Sequence, residues 1–351
     1  MYSQIIGILV ILSMEPLATM STSPNESTSS QAADDDRDYR NKIGMVCSYN
    51  LSNSFDHYFM EIGEDVRIDS VLERFGTNKK VIFFIAGYGK NVHSDDGADN
   101  NYKFEFEWFK SFTRGLLKDE NTIACAFDFN RLEKMGPACM IACYWNTVNR
   151  RVPFAAKMIK KVAAEMFTKN VFTTFENFEL IGFSLGAHVA GLTARRIKLE
   201  MGIEVPRIFA LDPSKRILNK CSNKQIQKTD AKYIQAILTS RLGEPKCDVH
   251  CKVFIGDGAI QSGCEEMPLE ILQNICSHNY VTDLYKQIAK QELTLIAYKD
   301  PDENVGVRNV PNQMTVGHHS NENACGVFYA NIDNSEVKKP RHTDQKSCCC
   351  C

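Results

Sequence analysis

Gly182-Phe183-Ser184-Leu185-Gly186 sets one serine between two glycines, after an apolar run and before a stretch of small residues. A serine at such a turn is a nucleophile if a base takes its proton and an acid orients that base. The glycines allow the tight strand-to-helix turn that exposes the hydroxyl. The helix that follows aims its free N–H groups at the same place, where they favour an oxyanion. A plain strand–turn–helix packing motif is the competing reading of this pentapeptide. Asp212 follows the apolar run Arg207–Leu211 and precedes Pro213, a good place for the acid. Its competing reading is a loop aspartate opening an Asp-Pro turn. For the base, the chain order serine, acid, histidine leaves His250, His278, His318, His319 and His342. His278 is favoured over these rivals because it begins a helix next to Cys276, but the residues alone leave the others open. A second oxyanion donor is expected from Ile85-Ala86-Gly87-Tyr88-Gly89, so the N–H groups of Tyr88 and Leu185 are the candidate pair.

These residues need a scaffold, and the apolar pattern supplies one. Lys79–Ala86, Thr122–Phe129, Phe178–Gly182, Arg207–Leu211 and Tyr233–Leu238 read as strands buried on both faces. Phe104–Lys118, Val152–Thr168, the stretch after Ser184 and His278–Lys290 read as helices. Weaker strands are expected near Leu293–Tyr298 and Val327–Ile332. Alternating strands and helices predict an α/β protein: a mostly parallel central sheet with helices on both faces. No Pro/Gly/Ser-rich linker divides residues 40–335, so one domain is expected over 45–335.

Composition excludes several classes. The 351 residues carry 41 Lys plus Arg against 43 Asp plus Glu, a net charge of −2. No basic field marks a nucleic-acid binder. Residues 1–20 contain an apolar run, Ile5–Leu12, followed by small and polar residues, and read as a secretory signal peptide although Lys and Arg are missing before the run. A membrane anchor is the other reading there; elsewhere no transmembrane segment is expected. Residues 21–44 are rich in Ser, Thr and Asp and are expected to be disordered. Asn25 and Asn50 stand in glycosylation sequons. Fourteen cysteines, ten of them between Cys47 and Cys325, are compatible with five disulfides and fit a secreted, extracellular protein. Cys139-x3-Cys143 and Cys247-x3-Cys251 lack the second half of a zinc site, so no metal is expected. The tail 336–351 is basic, ends in Cys348–Cys351 and is expected to be disordered. It resembles a lipid-modified tail, but that modification is cytosolic and conflicts with a signal peptide.

Taken together, the motifs resemble the animal pancreatic-lipase family of lipases, phospholipases A1 and yolk-protein relatives. The resemblance rests on Ser184-Leu185-Gly186-Ala187-His188, Ala210-Leu211-Asp212-Pro213-Ser214, Asp230-Ala231-Lys232-Tyr233, Cys276-Ser277-His278 and Gly326-Val327-Phe328-Tyr329. It implies an α/β-hydrolase fold, His278 as the base and hydrolysis of lipid carboxylic esters without a cofactor. It also implies a disulfide between Cys264 and Cys276 closing a lid over Glu265–Ile275, with Met267, Leu269, Leu272 and Ile275 available to lipid. That loop and the loop Ser240–Val249 are short, as in the phospholipase A1 branch, whereas lids of triglyceride lipases are longer. The expected partner is a phospholipid or glyceride at a lipid–water interface. A triglyceride lipase is the alternative, and a non-catalytic lipid-binding relative is the alternative of another class. The chain departs from the family at Phe183 and Ala86, where histidine is usual. Gln225 and Gln227 stand at the family's calcium positions, so no structural calcium is expected.

Overall fold

The computed structural model describes residues 43–49, 57–62, 74–88, 107–117, 120–129, 144, 147–215, 223–300, 312–317 and 324–332. The expected signal peptide, both sequons and the tail 336–351 lie outside the described residues, as does the Ser/Thr/Asp-rich segment up to residue 42.

Six strands form the parallel centre of one sheet: β3 (Lys80–Ile85), β4 (Thr122–Asp128), β5 (Phe178–Phe183), β6 (Val205–Leu211), β7 (Ala231–Leu238) and β8 (Cys251–Ile255). β1 (Ile43–Ser48) and β2 (His57–Ile62) add an antiparallel pair at one edge. β9 (Ile296–Lys299), β10 (Gln313–Thr315) and β11 (Gly326–Ala330) complete the other edge, with β11 parallel to β8 and antiparallel to β9. The order is β10-β9-β11-β8-β7-β6-β5-β3-β4-β1-β2. β1 begins at Ile43, two residues inside the segment expected to be disordered. It is held there by Cys47, which faces Cys125 of β4 and is joined to it by a disulfide.

The central strands are apolar on both sides because helices cover both faces. Phe83, Ile85, Ile123 and Phe127 pack toward α2 (Val152–Thr168) and α3 (Leu185–Met201). Their neighbours Ile82, Phe84, Ala124 and Ala126 pack toward α1 (Glu107–Leu116) and α4 (Glu270–Ala289). Successive strand residues thus serve opposite layers. α2 spans the range its apolar spacing predicts, with Pro153 in its first turn. Gly202 ends α3 in the left-handed conformation, and its N–H bonds Lys198 O. This is the α/β-hydrolase fold.

Two expectations change. α4 starts at Glu270, so His278 lies in its third turn rather than at its beginning. Its first two turns belong to the segment bounded by Cys264 and Cys276, where the sequence reading expected a lid. Nor do all the internal cysteines form disulfides: Cys247, Cys251 and Cys325 are thiols. Cys251 sits against Met314, Sγ to Sδ 3.4 Å, and burial pushes the Cys247 thiol up to about 12.

His250 precedes β8 and ties it to β7. Its Nδ1 accepts the Ile234 N–H at 3.1 Å and its ring stacks on Tyr233. Burial, and then Lys228, hold this imidazole below its ordinary 6.5, with Asp248 and Glu204 opposing more weakly. As pH falls the unfolded chain therefore binds the proton first. The contribution is complete above about pH 6.5 and is lost as pH falls below it. Urea midpoints measured from about pH 7.5 to about pH 5.5 are expected to fall, and to fall less in His250→Gln.

Candidate active site

β5 ends at Phe183 and α3 begins at Leu185, leaving Ser184 alone at the corner. Its φ of 54° and ψ of −121° are strained for a residue with a side chain. The corner is held by Ser184 N, which donates to Leu211 O at 2.9 Å. Both glycines of the pentapeptide are required by close approach. A Cβ at Gly182 would lie 2.4 Å from Ala187 Cα, and one at Gly186 would lie 2.2 Å from Ile85 O. The helix can therefore start directly against β3 and β5.

One strand away, Asp212 follows β6 with φ 41°, a second strained residue. Its N–H bonds Ile237 O at 2.8 Å. The carboxylate is wholly buried. Oδ1 accepts the N–H groups of Thr239 at 2.9 Å and Ser240 at 3.4 Å. Oδ2 accepts the Ser240 hydroxyl and lies 2.6 Å from His278 Nδ1. With the Nδ1 proton directed at a carboxylate, Nε2 of a neutral imidazole carries the free lone pair. Phe183 packs against the imidazole in a tilted contact, ring centroids 4.8 Å apart. α4 is fixed beneath His278 by Ser277 Oγ, which accepts the Gln261 N–H at 2.9 Å. Gln261 Nε2 in turn donates to Thr239 O and Ile255 O. The Cys264–Cys276 disulfide closes the same region.

The loop after β3 lies against the elbow. A Cβ at Gly87 would lie 2.8 Å from Ser184 Cβ, so the backbone leading to Tyr88 passes beside the serine. Tyr88 packs edge-on against Tyr144, and burial pushes both phenols up to about 12, so they stay neutral. Leu185, at the first position of α3, has no carbonyl four residues back for its N–H. Among the lid candidates, Met267 is 42% and Leu269 56% exposed, while Leu272 is half-buried on α4. Gln273 Nε2 shapes their turn by donating to Glu265 O and Met267 O. Arg241, from the loop after β7, pairs with Glu270 at 2.5 Å across this segment.

The structure thus brings Asp212 and His278 together. His250 is engaged between β7 and β8; His318, His319 and His342 lie outside the described residues. Sequence reasoning missed Ser240 and Arg195. Arg195 Nε donates to Asp230 Oδ1 at 2.8 Å and Nη2 to Oδ2 at 3.1 Å. The same guanidinium bonds Gln225 O at 2.8 Å and also Asn223 O. A cation of the chain's own therefore sits among the carboxylate and carbonyls before β7. Burial raises the Asp230 carboxyl, and Arg195 opposes that shift.

A mostly parallel sheet with helices on both faces, and a strained serine at the turn from β5 into α3, define the chain as an α/β-hydrolase by fold. Residues 52–299 match the family described as Lipase, and the chain belongs to that family. It is 32% identical over 154 residues to a phospholipase A1 of Vespa crabro, covering 41% of this chain and 50% of that one. It is 33% identical over 185 residues to phospholipase A1 1 of Dolichovespula maculata, covering 52% and 54%. To a probable phospholipase A1, magnifin, of Vespa magnifica it is 28% identical over 233 residues, covering 62% and 60%. The chain spans about half the length of the curated relatives it matches. Solved structures similar to it include an α/β serine hydrolase homologue from Coxiella burnetii, 11% identical with a TM-score of 0.30 over 62% of this chain and 87% of that one. A sugar hydrolase from Lactococcus lactis, 8% identical with a TM-score of 0.33, covers 62% and 90%. The fold assignment rests on the strand order and the elbow.

Two substitutions test this packing. Gly186→Ala forces a methyl into Ile85 O, and a loss of about 1–3 kcal/mol is expected from urea unfolding. Arg195→Ala leaves Asp230 buried without its cation. A loss of about 3–5 kcal/mol is expected, partly recovered when Asp230→Asn is added.

Proposed function

We propose that this chain is a secreted serine esterase of lipids, with the sn-1 acyl ester of phospholipids as its preferred substrate. The observation that carries the reading is Ser184 held in a strained elbow, one strand from Asp212 with His278 Nδ1 at 2.6 Å. In the reaction, His278 Nε2 takes the Ser184 proton as Oγ attacks the ester carbonyl. Asp212 holds the tautomer and stabilises the imidazolium that forms. The N–H groups of Tyr88 and Leu185 receive the oxyanion, the second of them aided by the α3 dipole. His278 then protonates the departing lysolipid alkoxide, and a water activated by the same imidazole releases the fatty acid. No step calls for a cofactor.

The phospholipid preference draws on the names of the three relatives above, two phospholipases A1 and one probable phospholipase A1, and on the short segment between Cys264 and Cys276. A short cover leaves room for a polar head group at the acyl-channel mouth. Met267 and Leu269 offer apolar surface to a lipid–water interface. Secretion is supported by the disulfides Cys47–Cys125 and Cys264–Cys276. Among the described residues no helix is long and apolar enough to cross a membrane. The lipase domain is taken as residues 45–335, after a signal peptide over 1–20.

The test is fatty-acid release from phosphatidylcholine with a distinguishable sn-1 chain, and from triglyceride, by the purified protein and by Ser184→Ala. Release from sn-1 is expected, with a loss of ~10⁶-fold in kcat for the variant. Asp212→Asn is expected to lose ~10⁴-fold through the wrong imidazole tautomer. Preference for triglyceride would overturn the phospholipid assignment. No release from either lipid by folded protein would overturn catalysis and favour a lipid-binding role.

A further inference from the structure

We propose that Ser240 is a positioning residue of the Asp212–His278 pair, its hydroxyl holding the carboxylate in the plane that the imidazole needs. This rests on the esterase reading above. Ser240 follows β7 and is 4% exposed. Its Oγ accepts the Leu242 N–H at 3.1 Å, which occupies a lone pair and turns the hydroxyl proton toward Asp212 Oδ2. That oxygen is the one 2.6 Å from His278 Nδ1.

The other partners of Asp212 cannot do this work. Thr239 N–H and Ser240 N–H both go to Oδ1 and so fix one end of the carboxylate. A group anchored at one oxygen still pivots about it. The Ser240 hydroxyl supplies the second anchor, on the oxygen that faces the histidine. The turn then closes over the group: Gly243 N bonds Ser240 O at 3.2 Å, and a Cβ at Gly243 would lie 2.3 Å from Asp212 Oδ1. Among the described residues no Lys or Arg pairs with Asp212, and the adjacent Arg241 is directed at Glu270. The buried negative charge therefore rests on hydrogen bonds and on the imidazole. Losing the hydroxyl removes one donor and frees the plane. The backbone donors remain, so the fold has reason to survive the loss.

The experiment compares the full chain with Ser240→Ala, Ser240→Thr and Ser240→Cys. Kinetics use p-nitrophenyl butyrate, with Ser184→Ala as the blank. A second readout, independent of turnover, is the deshielded proton resonance of His278 Nδ1–H in the NMR spectrum, assigned by its loss in His278→Gln. For Ser240→Ala, kcat is expected to fall ~10–100-fold with KM within about twofold, the range set by one hydrogen bond to a charged group. The imidazole resonance is expected to move. Ser240→Thr, which keeps the hydroxyl, is expected to recover most of the rate and the resonance. Ser240→Cys, a weak donor, should fall between and carries the test if the alanine variant does not fold. Unchanged kcat and an unmoved resonance in a folded Ser240→Ala would overturn the proposal. If the wild-type chain shows no Ser184-dependent hydrolysis, the esterase reading fails, and the resonance alone decides the role of Ser240. A shift supports it and no shift overturns it.

Discussion

A carboxylate with no exposure to water is the constraint around which this molecule is arranged. An isolated charge in such a place costs far more than a protein can spare, so every lone pair of Asp212 must find a donor. The donors come from Thr239 and Ser240 after β7 and from His278 on α4. Three elements are thereby drawn to one point at the carboxyl edge of the sheet. The Gln261 side chain extends the arrangement, joining Thr239 O to Ile255 O, while its N–H reaches Ser277 beside the histidine. Asp212, His278 and the turns that carry them form one hydrogen-bonded unit.

The elbow is the second constraint, and it is steric rather than electrostatic. α3 can begin against β3 and β5 only because Gly182 and Gly186 lack side chains. That proximity sets Ser184 at positive φ and leaves the first N–H of the helix without a helical acceptor. Ser184 N bonds Leu211 O, which links the elbow directly to the residue before Asp212. The two strained residues are therefore tied across adjacent strands, and a rigid parallel centre holds both. Strain of this kind persists only where the surroundings over-determine it.

How much of this is legible in the residues varies by element. The central strands stand out because both faces are apolar, and α2 because its apolar spacing starts at a proline. β1 and β2 are not legible: each has six residues, and in β1 Gly44 and Ser48 break the apolar run although the whole strand is buried between β4 and β2. The start of α4 is hidden as well. Glu270–Ser277 has no strong apolar face of its own, and its position is set by the Cys264–Cys276 bond and by Gln261. That Cys247 and Cys251 remain thiols is equally invisible, because whether two cysteines meet is a question of geometry rather than of count.

Read along the chain, the residues display the central strands and the helices between them, the glycine–serine corner and an aspartate at the end of the following strand. Each of these is written in neighbouring residues, through periodicity, glycine spacing or a proline. Which histidine meets Asp212, that Ser240 shares the same carboxylate oxygen, and that Arg195 places a guanidinium among Asp230 and the carbonyls before β7 emerge on folding. These partners are far apart along the chain. Asp212 and His278 are 66 residues apart, Asp212 and Ser240 28, and Arg195 and Asp230 35. Local pattern carries no information across such gaps. What closes them is the stacking of parallel strands, which brings distant strand ends to one edge, and the need of each buried charge for partners once it arrives there.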